Sequence, residues 1–178
     1  MDICYINIFT YSFLKHYQLE VSMKQRQISY WLKALCILLG IMGVFLFGTL
    51  TAYAAQMLNE DLSNPLVFFI LFSWYTAILC YGVLILFWQV CTQIGNDNSF
   101  SMENVLAFRR MGYLGIAYMA GDITRYIWLI CIHSASVRAT LASIFMLLVA
   151  LIFVVLCESL SQLVKGAYEM KQENDLTI

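Results

Sequence analysis

The chain has 178 residues, 62% hydrophobic and 12% charged, with one proline and a formal net charge of −1; its mean hydropathy is +0.77. A soluble domain carries about 25% charged residues, so this composition excludes an ordinary globular core and points to an integral membrane protein. The near-neutral balance argues against direct nucleic-acid binding.

Residues 1–22, MDICYINIFTYSFLKHYQLEVS, hold a short apolar run followed by its basic residue. That order is wrong for a signal peptide. Met23-Lys-Gln-Arg-Gln, with bases just before a span, is the more natural start. The extension is therefore either upstream of the true start or an interfacial stretch. Four apolar runs long enough for a hydrocarbon layer of about 30 Å follow, at 34–56, 66–90, 111–132 and 139–160. Ala52-Tyr53-Ala54 closes the first in an A-x-A pattern. The apolar region before it exceeds the usual h-region of about 7–15 residues, which argues against cleavage. The expected fold is all-α, an integral membrane four-helix bundle. One domain covers 23–178, with a connection at 92–110 and a tail at 161–178.

Lysine and arginine set the orientation. Lys24, Arg26 and Lys33 precede the first span, Arg109 and Arg110 the third, and Lys165 and Lys171 follow the fourth; only Arg138 falls on the other side. Both termini and the 92–110 connection are expected to be cytoplasmic. The connection 59–65 has two acids and no base. Six cysteines, at 4, 36, 80, 91, 131 and 157, lie mostly in apolar runs with no CxxC pair and no histidine at ligand spacing. They read as small hydrophobes packed between helices. No metal, haem or other cofactor is expected.

The third span carries the main anomaly, Asp122 and Arg125 inside MGYLGIAYMAGDITRYIWLICI. Each costs roughly 2.5–3.5 kcal/mol at a helix centre, so such residues are rarely incidental. Their i, i+3 spacing allows them to pair. Ile116, Ile123, Ile127 and Ile130 share one arc, suited to lipid; Gly115, Tyr118, Asp122, Arg125, Tyr126 and Leu129 share the opposite arc. Tyr118 and Tyr126 lie a turn to either side of Asp122, within reach of the pair. Ala117 and Gly121 form a small-xxx-small notch for a neighbouring backbone. The first span offers Gly40, Gly43, Gly48, Thr51, Ala52 and Ala55 as matching material, and the second a wet middle at Ser73–Thr76 and Tyr81. The pair is either a structural register device or part of a binding, sensing or ion-conducting site.

Before the third span, Ser101 can cap a helix, Glu103 complements its dipole, and Phe100 and Val105 stand at staple spacing. After the fourth span the helical pattern runs on, with Leu156, Leu160, Leu163, Val164 and Ala167 on one face, into an acidic end.

The segment IGNDNSFSMENVLAFRRMGYLG and the ending QENDLTI resemble a bacterial four-helix membrane family, domain of unknown function 2975. The matching positions are Gly95, Phe100, Ser101, Glu103, Asn104, Phe108, Arg109, Gly112 and Tyr113, then Glu173, Asn174, Asp175, Leu176, Thr177 and Ile178. Gly95 to Phe100 is longer than the family pattern. The resemblance covers nearly all of 23–178. It implies a multi-pass protein of the bacterial cytoplasmic membrane. It also implies a partner, a small helix-turn-helix regulator of the Cro/repressor type. The Phe100–Arg110 segment and the Glu173–Leu176 tail are the candidate contacts.

The leading functional expectation is a membrane sensor or anchor that modulates such a regulator. The alternative is a small oligomeric transporter, efflux or immunity-type protein using Asp122. An enzyme is not expected, because Asp122 has no second membrane aspartate, no HExxH occurs, and no serine–histidine arrangement fits.

Overall fold

The computed structural model describes the backbone of residues 3–60, 64–96, 98–133 and 136–176, and the side chains of residues 16, 20, 23–56, 67–96, 98–133 and 136–174. The side chains of 59–65, of most of the N-terminal extension and of Asp175–Ile178 lie outside that set, and with them part of the expected tail motif. The described residues form four helices: α1 (Ile3–Glu60), α2 (Asn64–Gly95), α3 (Met102–Cys131) and α4 (Val137–Leu176). The one proline, Pro65, falls in the first turn of α2, where its missing N–H is not needed. α3 starts at Ser101, which has extended backbone (φ −122°, ψ 153°) and accepts a hydrogen bond from Asn104 N. It ends at Cys131, and just beyond its cap His133 takes φ 51° and donates its N–H to Ile130 O. The 92–110 connection is shorter than its sequence suggests. α2 runs on to Gly95 and α3 begins at Met102, so six residues join them.

Among the described residues three helices are long and apolar enough to cross a membrane, within Met23–Gln56, Val67–Gly95 and Val137–Asn174. α3, expected as a fourth span, does not reach that apolarity. Asp122, Arg125 and its glycines and tyrosines dilute it. It runs instead between two helices that do. Along α2 its register is continuous and antiparallel: Gln93 meets Glu103, Gly82 meets Leu114, Tyr75 meets Gly121, and Phe68 stacks on Trp128. Along α4, Ser161 meets Val105, Cys157 meets Gly112, Phe153 and Val154 meet Gly115, and Ser143 meets Arg125.

The bundle is open. Among the described residues α1 touches only α2 and α4 touches only α3, so the helices form a row in chain order. The small residues of the first span therefore do not line the polar face of α3. Gly43 faces Tyr81 of α2, whose hydroxyl donates to Gly40 O at 2.9 Å, while nothing lies within 4 Å of a Cβ built at Gly40 or Gly48. Short connections make sequential helices neighbours, and α2 already occupies that side of α3. Wide apolar faces remain outward, as bilayer-embedded helices allow. The tightest core, Val90, Ala107, Met111 and Cys157, joins α2, α3 and α4 near the α2–α3 connection. Cys36, Cys91 and Cys157 are buried between helices, whereas Cys80 and Cys131 are exposed.

The Ala117–Gly121 notch holds a side chain, not a backbone. Tyr75 donates its hydroxyl to Ala117 O at 2.6 Å, and a Cβ on Gly121 would run into the Tyr75 ring. Gly121→Ala should lower stability by about 1–3 kcal/mol through overpacking, seen as a lower Tm in detergent. Combined with Tyr75→Ala, the double variant should lose clearly less than the two single losses together. Additive losses would mean that ring and notch do not meet.

Candidate functional site

The polar arc of α3 faces inward and its isoleucines face outward. Ile116, Ile123, Ile127 and Ile130 are about half exposed, while Asp122 is 1% exposed. The arrangement follows from helical spacing, since residues three and four apart share a face. Arg125 donates from Nε (3.0 Å) and Nη2 (2.7 Å) to the same oxygen, Asp122 Oδ1. Nη2 also donates to Ser143 Oγ on α4. The guanidinium lies 5.0 Å from the centre of the Phe72 ring on α2. One side chain thus engages three helices.

Asp122 Oδ2 is buried and has no hydrogen-bond partner among the described residues; Thr76 Oγ1 on α2 is in the same state. A buried polar atom left without a partner costs about 1–3 kcal/mol, more when charged. Tyr126 turns its hydroxyl away from the pair and donates to Thr140 Oγ1 at 3.1 Å; Thr140 donates on to Ser136 O. Tyr118 is partly buried within the fields of Asp122 and Arg125 but makes no hydrogen bond to either. The two tyrosines flank the pair without completing it. Ser143 and Phe72 do that work. Thr140 and Ser143, three residues apart in an apolar helix, were the legible signal on α4; Phe72 left none.

A second polar layer lies at the α2–α3 connection. Asn104 is 1% exposed and donates from Nδ2 to Ser99 O at 2.8 Å, closing the turn. Gln93 Nε2 donates to Glu103 Oε2, and Gln93 Oε1 accepts from Asn98 Nδ2 at 3.3 Å. Ser161 on α4 donates to Val105 O at 3.1 Å, and Ser29 on α1 donates to Cys91 O at 2.6 Å. Val105 is buried but Phe100 is 52% exposed, so the staple spacing does not bury the phenylalanine. Arg109 and Arg110 are exposed. A cleft of about 320 Å³ opens between the end of α2 and the start of α3, lined by Gln89, Gln93, Glu103, Asn104, Leu106, Ala107 and Arg110. Glu173 and Asn174, near the end of α4, are exposed and each engaged in an interaction. They lie far along α4 from the Asp122 layer. Among the described residues no three histidine, cysteine or acidic side chains gather as a metal site.

Helices fit to cross a membrane, an ion pair buried between them and a polar cleft at one end define an all-helical integral membrane protein. A family model described as protein of unknown function (DUF2975) matches residues 49–178, and the chain belongs to that family. The match begins within α1, later than the sequence resemblance suggests. No curated protein and no solved structure matches the chain.

Removing one member of a buried pair strands the other, at about 3–5 kcal/mol. Asp122→Ala should therefore lower Tm in detergent far more than Ser143→Ala, which removes one hydrogen bond. Adding Arg125→Leu to Asp122→Ala should recover part of the loss. A double variant as unstable as the two losses combined would show that the two charges do not depend on each other.

Proposed function

We propose that the protein is a regulatory anchor of the bacterial cytoplasmic membrane, with both termini and the α2–α3 connection in the cytoplasm. It holds or modulates a small helix-turn-helix regulator, and its buried polar layer responds to a ligand or to the state of the membrane. The observation that carries this reading is the reach of α4. Ser161 is level with the first turns of α3, yet α4 continues to Leu176. Leu163 is 70% exposed and Met170 62% exposed, seven residues apart on one face. Beside them run Lys165 and Glu169, 3.7 Å apart. A helix extending past the bilayer with exposed apolar side chains among charges suits a protein partner better than solvent. The orientation rests on Lys33, Arg109, Arg110 and Lys165 collecting at this end while Arg138 lies at the other.

The experiment is a pull-down from the native host in mild detergent, comparing the full chain with one ending at Tyr168, which lacks Glu169–Ile178. Tail-dependent recovery of a helix-turn-helix protein is the expected outcome. Equal recovery with the shortened chain would sink the tail as the contact.

A second reading, a small oligomeric transporter, is favoured by the unpartnered Asp122 Oδ2. It expects Asp122→Asn to abolish gradient-driven flux in proteoliposomes. Unchanged flux would remove it. The open row of helices encloses no path within one chain, so this reading needs a second copy.

A further inference from the structure

We propose that the cleft between the end of α2 and the start of α3 is a binding site for the headgroup of an aminophospholipid of the phosphatidylethanolamine type. Glu103 takes the ammonium and Arg110 takes the phosphate.

The argument starts from spacing. Glu103 and Arg110 are seven residues apart on one face of α3, about 10.5 Å along the axis at 1.5 Å per residue. That is too far for an ion pair, and neither has one among the described residues. Both line the same cleft of about 320 Å³. A lone anion there meets the Glu103 carboxylate, and a lone cation meets the Arg110 guanidinium. A zwitterion satisfies both ends.

The order of the charges selects the lipid source. Arg110 lies on the membrane side, at the level of α2 where Trp88 stands with Lys33 5.6 Å from its ring centre. A half-exposed tryptophan beside a lysine marks a headgroup interface. Glu103 lies two turns further out, at the α2–α3 connection. An aminophospholipid has the same order, phosphate nearer the hydrocarbon and ammonium outside it. Leu106, 43% exposed between the two charges, gives the two methylenes of the ethanolamine an apolar neighbour.

The donors and acceptors select the amine. Gln93 Nε2 holds Glu103 Oε2, and Asn98 holds Gln93 in turn, which leaves Glu103 Oε1 without a hydrogen-bond partner among the described residues. A carboxylate oxygen accepts from a primary ammonium, whereas a trimethylammonium has no N–H to donate. Arg110 matches phosphate through its fork of donors.

The test uses the full chain in detergent, with lipid binding followed by native mass spectrometry and by Tm. Phosphatidylethanolamine should bind more tightly than phosphatidylglycerol or phosphatidylcholine. Glu103→Gln should weaken phosphatidylethanolamine roughly tenfold, the scale of one charge-assisted hydrogen bond, and should not weaken phosphatidylglycerol, whose anionic headgroup no longer meets a carboxylate. Arg110→Gln should weaken both lipids. Equal binding of the lipids by the unaltered chain, or a preference that survives Glu103→Gln, would overturn the proposal. Free phosphoethanolamine binding as tightly as the lipid would overturn the membrane source. An unchanged Tm of Glu103→Gln in lipid-free detergent separates lost binding from lost folding.

Discussion

Arg125 ties the molecule together in the plane of the membrane. Its guanidinium is bonded to Asp122 on its own helix and to Ser143 on α4, and rests against Phe72 on α2. In hydrocarbon a charge must be neutralised and its donors occupied, and only neighbouring helices supply the partners. α3 is not apolar enough to stand alone, so its place between α2 and α4 follows from this requirement.

The packing that surrounds this layer is adapted to a ring and to small residues. Tyr75 occupies the Gly121 notch on one side of α3, and Phe153 and Val154 press on Gly115 from the other. Among the described residues α1 joins through α2 alone, with Ser29, Gly40 and Gly43 among its contacts. The outer faces of α1 and α4 are left to lipid. A row of this kind has a large lipid-exposed perimeter for its size, which fits a protein whose proposed ligands include the bilayer itself.

Two polar layers lie at two depths and differ in chemistry. The inner layer is centred on one ion pair, with Asp122 buried and its Oδ2 without a partner among the described residues. The outer layer is a network of amides, capping hydroxyls and separated charges around an open cleft. α3 connects them, since Glu103, Asn104 and Arg110 lie toward its start and Asp122 and Arg125 toward its end. A change in what the cleft holds bears on the same rigid helix that carries the buried pair. That shared helix links the proposed lipid contact to the proposed sensing role.

Composition together with apolar runs of spanning length pointed to a helical membrane protein, because a helix satisfies all its backbone hydrogen bonds within one segment. The i, i+3 spacing of Asp122 and Arg125 was enough to pair them, and the isoleucine arc was enough to orient α3, because both depend only on the geometry of one helix. Ser101 as a cap was legible for the same reason. Tertiary structure alone decided which helices meet: it set α1 beside α2 and away from α3, filled the Gly121 notch with Tyr75, and sent the Tyr126 hydroxyl to Thr140. It also brought Ser143 and Phe72 to Arg125 and placed Gln93 against Glu103. Helical periodicity says which residues share a face, but the register between helices is set by side-chain fit across an interface, and no single helix encodes it.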